Sequence, residues 1–206
     1  MSATKRRPRA RASYHHGDLR AALLAAAVRL LEEEGAEAVS FRAIAREVGV
    51  SQTAPYNHFD SKEHLLATVA EEGFRTFTEL QRAAARTRAP QARLRALGRA
   101  YVAFAADHPQ LYRLMFGVGL ADWKRYPALV EAAAASCVPV QQALGAFAER
   151  DGAAVKQPEA AWIATWALVH GLASLLIDGK LESSDVGRFG DRIVAWYAGL
   201  LLAPAV

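Results

Sequence analysis

Apolar residues recur at three- and four-residue intervals through almost the whole chain, while runs of alternating β-branched residues are missing. That period belongs to amphipathic helices rather than half-buried strands, so the sequence predicts an all-α protein. The first predicted helix carries Leu23, Leu24, Ala27, Leu30 and Leu31, with Asp18 as its N-cap, and stops at Gly35, which is free to take a positive φ. Ser40 caps a short second helix, Phe41 to Val48, which ends at Gly49, and Ser51 opens a third. Asp60 and Ser61 open a fourth, with Glu63 three residues after Asp60 in capping-box register; its apolar positions run through Leu65, Leu66, Val69, Phe74, Phe77 and Leu80 to about residue 86. Pro90 starts the next helix, which ends near Asp107, and His108 and Pro109 restart the chain into a short helix over 111–116. Helices are then predicted over 123–150, 158–178 and 184–202, separated by a polar loop at 151–157 and a turn at Gly179. No internal repeat or long linker is visible, so functional regions along this chain should share helices rather than be tethered.

One segment is patterned for more than packing. Residues 40–59 read SFRAIAREVGVSQTAPYNHF, the plan of a helix-turn-helix. Ala45 lets two helices approach closely, Gly49 permits the positive φ of a tight turn, and Ile44, Val48, Val50 and Phe59 supply a small core. Gln52, Thr53, Ala54, Tyr56, Asn57 and His58 are then left facing outward, side chains of the size and polarity that fit a DNA groove. Pro55 falls in the fourth helical position after Ser51, where its missing N–H forfeits a first-turn hydrogen bond, so this helix is expected to be short or tightened.

Composition narrows the possibilities. With 206 residues, 52% of them hydrophobic, the chain can bury a substantial core without staples. Cys137 is its one cysteine, which excludes an intramolecular disulfide, leaves no CxxC zinc signature and fits a reducing cytoplasm. Of a net charge of +4, much is concentrated at the start, where Lys5, Arg6, Arg7, Arg9 and Arg11 precede the first acid, Asp18. This reads as a basic flexible arm over 1–16, suited to an anionic partner. Tyr14, His15, His16, Gly17 and Asp18 stand where a signal peptide would have its apolar run. Residues 160–177 lack Asp, Glu, Lys and Arg, but Trp162, Trp166 and His170 sit in the first half and middle of the segment rather than at two membrane interfaces. They are expected to form a soluble helix buried on all sides, between its own core and a second subunit. His15 and His16 diverge and have no third ligand nearby, so no metal site is expected. No Ser-His-Asp grouping, glycine-rich phosphate loop, HExxH pair or carboxylate dyad occurs in a recognisable frame, so neither an enzyme nor a cofactor is expected.

The stretch from 40 to 66, ending in PYNHFDSKEHLL, closely resembles the DNA-binding motif of TetR-family transcriptional regulators. The resemblance implies that Tyr56, His58 and Lys62 hold DNA phosphates, that Gln52, Thr53 and Ala54 face bases, and that Ser40 and Arg42 lie near the DNA backbone. With Ser51 and Asn57 these make up the candidate interface. HPQLYRLMFG and WALVHGLASLLIDG resemble the regulatory domain of one branch of that family, named for a Trp-His-Gly signature, here Trp166, His170 and Gly171.

The expected organisation is therefore a basic arm at 1–16, a three-helix helix-turn-helix DNA-binding domain at 17–62, and a helical effector-binding and dimerisation domain at 63–206. The resemblance further implies a homodimer on double-stranded, palindromic operator DNA, paired through the last two helices, where Phe189, Ile193, Trp196, Tyr197 and Leu200 form an apolar stripe. It also implies a small-molecule effector held among helices of the body, and repression relieved by that ligand. Candidates for lining its pocket are Tyr101, Phe104, Met115, Phe116 and Trp123, together with Phe147, Trp162, Trp166 and His170, which suggest an apolar ligand with a few polar anchors. His170 reads more readily as a satisfied core histidine.

Overall fold

The computed structural model describes residues 19–87, 89–117, 120, 122–150, 158–182, 184–185 and 192. Among these, seven α-helices follow in order: α1 Leu19–Glu34, α2 Phe41–Val48, α3 Lys62–Ala84, α4 Pro90–Asp107, α5 Pro109–Phe116, α6 Pro127–Arg150 and α7 Pro158–Ile177. Two 3-10 turns, Ala54–Asn57 and Trp123–Arg125, complete the set, and no strand occurs among the described residues. The all-helical expectation holds.

Local signals explain most boundaries. Ser40 stands in extended backbone and its Oγ accepts from the Ala43 N–H, while Gly49 closes α2 in the left-handed region at φ 77°. Gly35 ends α1 in the same way, at φ 85°. Pro90, Pro109, Pro127 and Pro158 each stand at the first position of a helix, where a missing N–H costs nothing.

Three expectations need correction. The α3 cap is Ser61, whose Oγ accepts from the His64 N–H, so Glu63 does not stand three residues from the cap and the expected capping box is absent. The predicted third helix from Ser51 is only the Ala54–Asn57 turn, with Pro55 at its start. The span 123–150 breaks at Tyr126, because Pro127 disfavours helical backbone in the residue before it. Within one chain α7 is partly covered: Ala161 and Ala173 are buried and Val169 and Ile177 pack on the core, while Ile163 is 58% and Leu175 45% exposed. By length and composition Glu159–Ile177 would suffice to cross a membrane, yet these core contacts tie it into the helical body. The basic arm and Asp18 lie outside the described residues, as do the apolar stripe on 184–202 and most of that helix.

A single apolar core runs from Leu23 on α1 through Phe59, down α3, and on to Tyr101, Tyr112, Leu129 and Ala173. Among the described residues no polar seam separates an N-terminal unit from the rest. The helix α3 spans it, burying Leu65, Leu66 and Val69 near its start and Phe74, Phe77 and Gln81 further on. Midway, Gly73 lets α5 lie against α3: a Cβ there would stand 2.7 Å from Met115 Sδ and 3.0 Å from Leu111 Cδ1. A second tie fastens α5 to α1, since the Glu32 carboxylate accepts from the backbone N–H groups of Gln110 and Leu111 at 3.2 Å each, with His108 Nδ1 3.8 Å away. An acceptor anion at a helix N-terminus satisfies orphan donors and complements the helix dipole. Arg113, further along α5, donates to the Ile177 carbonyl and to Asp178 at the C-terminal end of α7, at 3.0 and 2.8 Å.

Candidate nucleic-acid interface and effector cavity

The turn after α2 is fixed by backbone bonds. Gly49 N–H donates to the carbonyls of Ala45 and Arg46, and Val50 N–H to that of Ala45. The chain then folds through Ser51, whose hydroxyl lies 3.1 Å from that of Thr53, into the 3-10 turn. Pro55 is buried within it, and its carbonyl accepts from the N–H groups of both His58 and Phe59 at 3.0 Å. Phe59 is thereby driven into the core, 1% exposed, with the rings of Phe41 and His64 beside it and the Arg20 guanidinium 5.4 Å from its ring centroid.

What this anchor presents outward is a polar ridge. Arg42, Ser51, Gln52, Thr53 and Asn57 are exposed, and Ser40, Ala54, His58 and Lys62 are half-buried beside them. Tyr56 is 64% exposed although its ring stands edge-on to Phe41 at 4.7 Å. The ring is braced while the hydroxyl is free to meet a partner. Lys62, in the first turn of α3, donates to the Glu37 carbonyl at 3.1 Å and lies 3.9 Å from the Glu37 carboxylate. It therefore pins the α1–α2 connection to α3 as well as facing solvent.

The second feature is a cavity of about 520 Å³ within the body, bounded by residues of α3 to α7. Of the residues singled out from sequence, Tyr101, Met115, Phe116, Trp123, Trp162 and Trp166 line it. Phe104 and Phe147 fill buried core positions away from it. His170 lies behind the wall, its Nδ1 2.7 Å from the Tyr112 hydroxyl and 3.0 Å from that of Tyr101. Trp166 Nε1 donates to the Tyr101 hydroxyl at 3.3 Å, so this cluster sets two wall residues in place. Burial pushes the Tyr101 and Tyr112 phenols up and the His170 imidazole down, leaving all three neutral near pH 7. Cys137 also lines the cavity, and burial raises its thiol.

Sequence reasoning missed Gln81, Ser136 and Thr165 on this wall. A small or polar residue in an amphipathic helix reads as solvent-facing, and only the fold shows that the space it faces is internal.

A helix-turn-helix with an exposed polar ridge, joined through one continuous core to a helical body with an internal cavity, defines the plan of a DNA-binding transcriptional regulator. Comparison with known proteins specifies the family. The bacterial regulatory proteins of the tetR family match residues 23–69, and the tetracyclin repressor-like C-terminal domain matches residues 94–197. The chain belongs to the TetR family, whose members are transcriptional regulators, not enzymes, and bind operator DNA as dimers. An uncharacterised HTH-type transcriptional regulator of Mycobacterium tuberculosis is 25% identical over 183 residues, covering 88% of this chain and 81% of that protein. A solved structure of a protein of unknown function from Rhodococcus sp. RHA1 is 33% identical with a TM-score of 0.76, covering 93% of this chain and 97% of that one. The fold is also shared with FadR of Bacillus subtilis, solved in complex with stearoyl-CoA, at 13% identity and a TM-score of 0.68 over 90% of this chain and 99% of that one.

Proposed function

We propose that this regulator is a repressor that holds a palindromic operator as a homodimer and leaves it when a small apolar effector fills the body cavity. The observation that carries this reading is the path of α3. Lys62 at its start stands beside the exposed ridge, and Phe74, Phe77 and Gln81 further along the same helix line the cavity. A ligand that shifts α3 at the cavity must therefore shift the ridge, and a ligand acts only through such a difference in its affinity for two arrangements.

In this reading residues 1–16 form an arm along the DNA, 17–62 the reading unit and 63–206 the sensing and pairing body. Tyr56, His58 and Lys62 hold phosphates, Gln52, Thr53 and Ala54 face bases, and Ser40, Arg42, Ser51 and Asn57 flank them. Two copies pair through α7 and the 184–202 segment, covering the exposed Ile163 and Leu175. The body belongs to the branch marked by Trp166, His170 and Gly171, and the protein works in the cytoplasm.

Fluorescence anisotropy with the DNA upstream of its own gene tests the reading. Binding is expected to be two chains per site and to weaken steeply with salt, and Lys62→Ala, which removes one phosphate contact from each chain, to reduce the log–log salt slope by about 1.8. Tyr56→Phe should weaken binding to all sequences alike, whereas Gln52→Ala should change the order of preference among them. Indifference to DNA at low salt would overturn the reading.

A further inference from the structure

We propose that Gln81 determines the specificity of the cavity, and that the effector is a neutral, largely apolar molecule carrying one hydroxyl group that pairs with the Gln81 amide. The proposal rests on the effector reading above and names the class of ligand.

The cavity wall makes the argument by elimination. Among the described lining residues there is no Asp, Glu, Lys, Arg or His. Most polar side chains on the wall are already engaged. Ser136 Oγ donates to the Ala133 carbonyl at 2.7 Å and Thr165 Oγ1 to that of Ala161 at 2.7 Å. Cys137 Sγ lies 3.6 Å from the same Ala133 carbonyl. Trp166 and Tyr101 bond to each other, and Tyr101 also to His170.

Gln81 is different. It is 2% exposed, lines the cavity, and its Oε1 is buried without a hydrogen-bond partner. On α4 the wall consists of Leu94, Leu97, Gly98 and Tyr101, and the Tyr101 hydroxyl is already bonded to Trp166 and His170. A buried amide oxygen left unpaired is costly, and such a group gains most from a ligand that completes it.

The chemistry of the missing partner follows. An amide presents an acceptor at one end and donors at the other, and a hydroxyl serves either. A carboxylate serves only the donor end and brings a charge that nothing on this wall offsets. The phosphates of a coenzyme A thioester would meet the same obstacle inside the cavity. A volume of about 520 Å³ suits an aromatic or aliphatic molecule of drug-like size.

Three probes sharing one octylbenzene frame test this: 4-octylphenol, octylbenzene and 4-octylbenzoate at pH 8. Tryptophan fluorescence reports occupancy, since Trp123, Trp162 and Trp166 line the cavity. Wild type is expected to bind the phenol about tenfold more tightly than the hydrocarbon, and the benzoate most weakly. Gln81→Leu and Gln81→Met should bring phenol and hydrocarbon to parity or invert their order. Both variants replace an amide whose oxygen is unpartnered with an apolar side chain of similar volume, so both should melt no lower than wild type. A phenol preference unchanged in both variants, or a benzoate that binds best, would overturn the proposal. If none of the three probes binds a wild-type protein that still holds its operator, the effector reading itself fails, and the proposal with it.

Discussion

The two ends of α3 are built on opposite terms. At the N-terminal end the chain wraps a buried aromatic, Phe59, and turns its polar groups outward to Tyr56, Gln52 and Thr53. At the C-terminal end the helix borders an internal space and turns a polar group inward, where Gln81 Oε1 lacks a partner. A surface that must fit a repeating polymer needs a fixed shape. A sensor needs a region whose packing is incomplete until its ligand arrives, because only then does occupancy change the balance of arrangements.

The largest expected effect probes that contrast directly. Phe59→Ala should cost about 3–5 kcal/mol in denaturant unfolding and abolish operator binding, because it empties the centre of the reading unit. Leu168→Ala, on the cavity wall, should cost no more than about half as much, since part of that side chain already faces empty space. Equal costs would break the comparison. Gly73→Ala comes next, at about 1–3 kcal/mol, because the new methyl forces Met115 and Leu111 of α5 away from α3.

Glu32→Gln should cost about 1 kcal/mol by melting, as it keeps an acceptor at the α5 N-terminus but removes the charge. Its sharper readout is the change in operator affinity caused by saturating ligand, which should shrink if α5 carries strain from cavity to α1. The smallest effect concerns pH. Burial holds the His170 pKa below its ordinary 6.5, so the unfolded chain binds the proton more readily than the folded one. That stabilising contribution is whole above pH 6.5 and is lost as pH falls through the lower folded value. The Tyr101 and Tyr112 phenols facing it are raised and do not titrate in this window. Melting at stepwise lower pH should therefore fall less steeply in His170→Gln than in wild type.

The N-terminal unit was legible because its determinants are local. Ser40, Gly49 and Ser61 act within one turn of their own position, and their caps follow from residue type. Pro55 signalled a shortened helix, but not that the chain would reach only a 3-10 turn, since that depends on how deeply Phe59 is drawn into the core. The break before Pro127 was available to the same local logic and went unused. The cavity was less legible for a different reason. Helical spacing puts Phe104 and Phe147 on apolar faces as surely as Tyr101 and Trp166, and only the packing of five helices decides which faces meet and which leave a gap. Glu32 reaches α5 from 78 residues away, a separation no periodicity encodes.

The position of Gly73 carries one more consequence, a mechanical one. It is the twelfth of the 23 residues of α3, with eleven on either side. At about 1.5 Å per residue each arm is roughly 17 Å long, so α5 presses on the helix at its midpoint. A beam pivoted at its centre moves its two ends equally and in opposite senses. A tilt of about 10° would carry each end through roughly 3 Å over such an arm. In a two-fold symmetric pair the displacements of the two far ends point in mirrored directions, so the spacing between the two ridges would change by up to twice that amount.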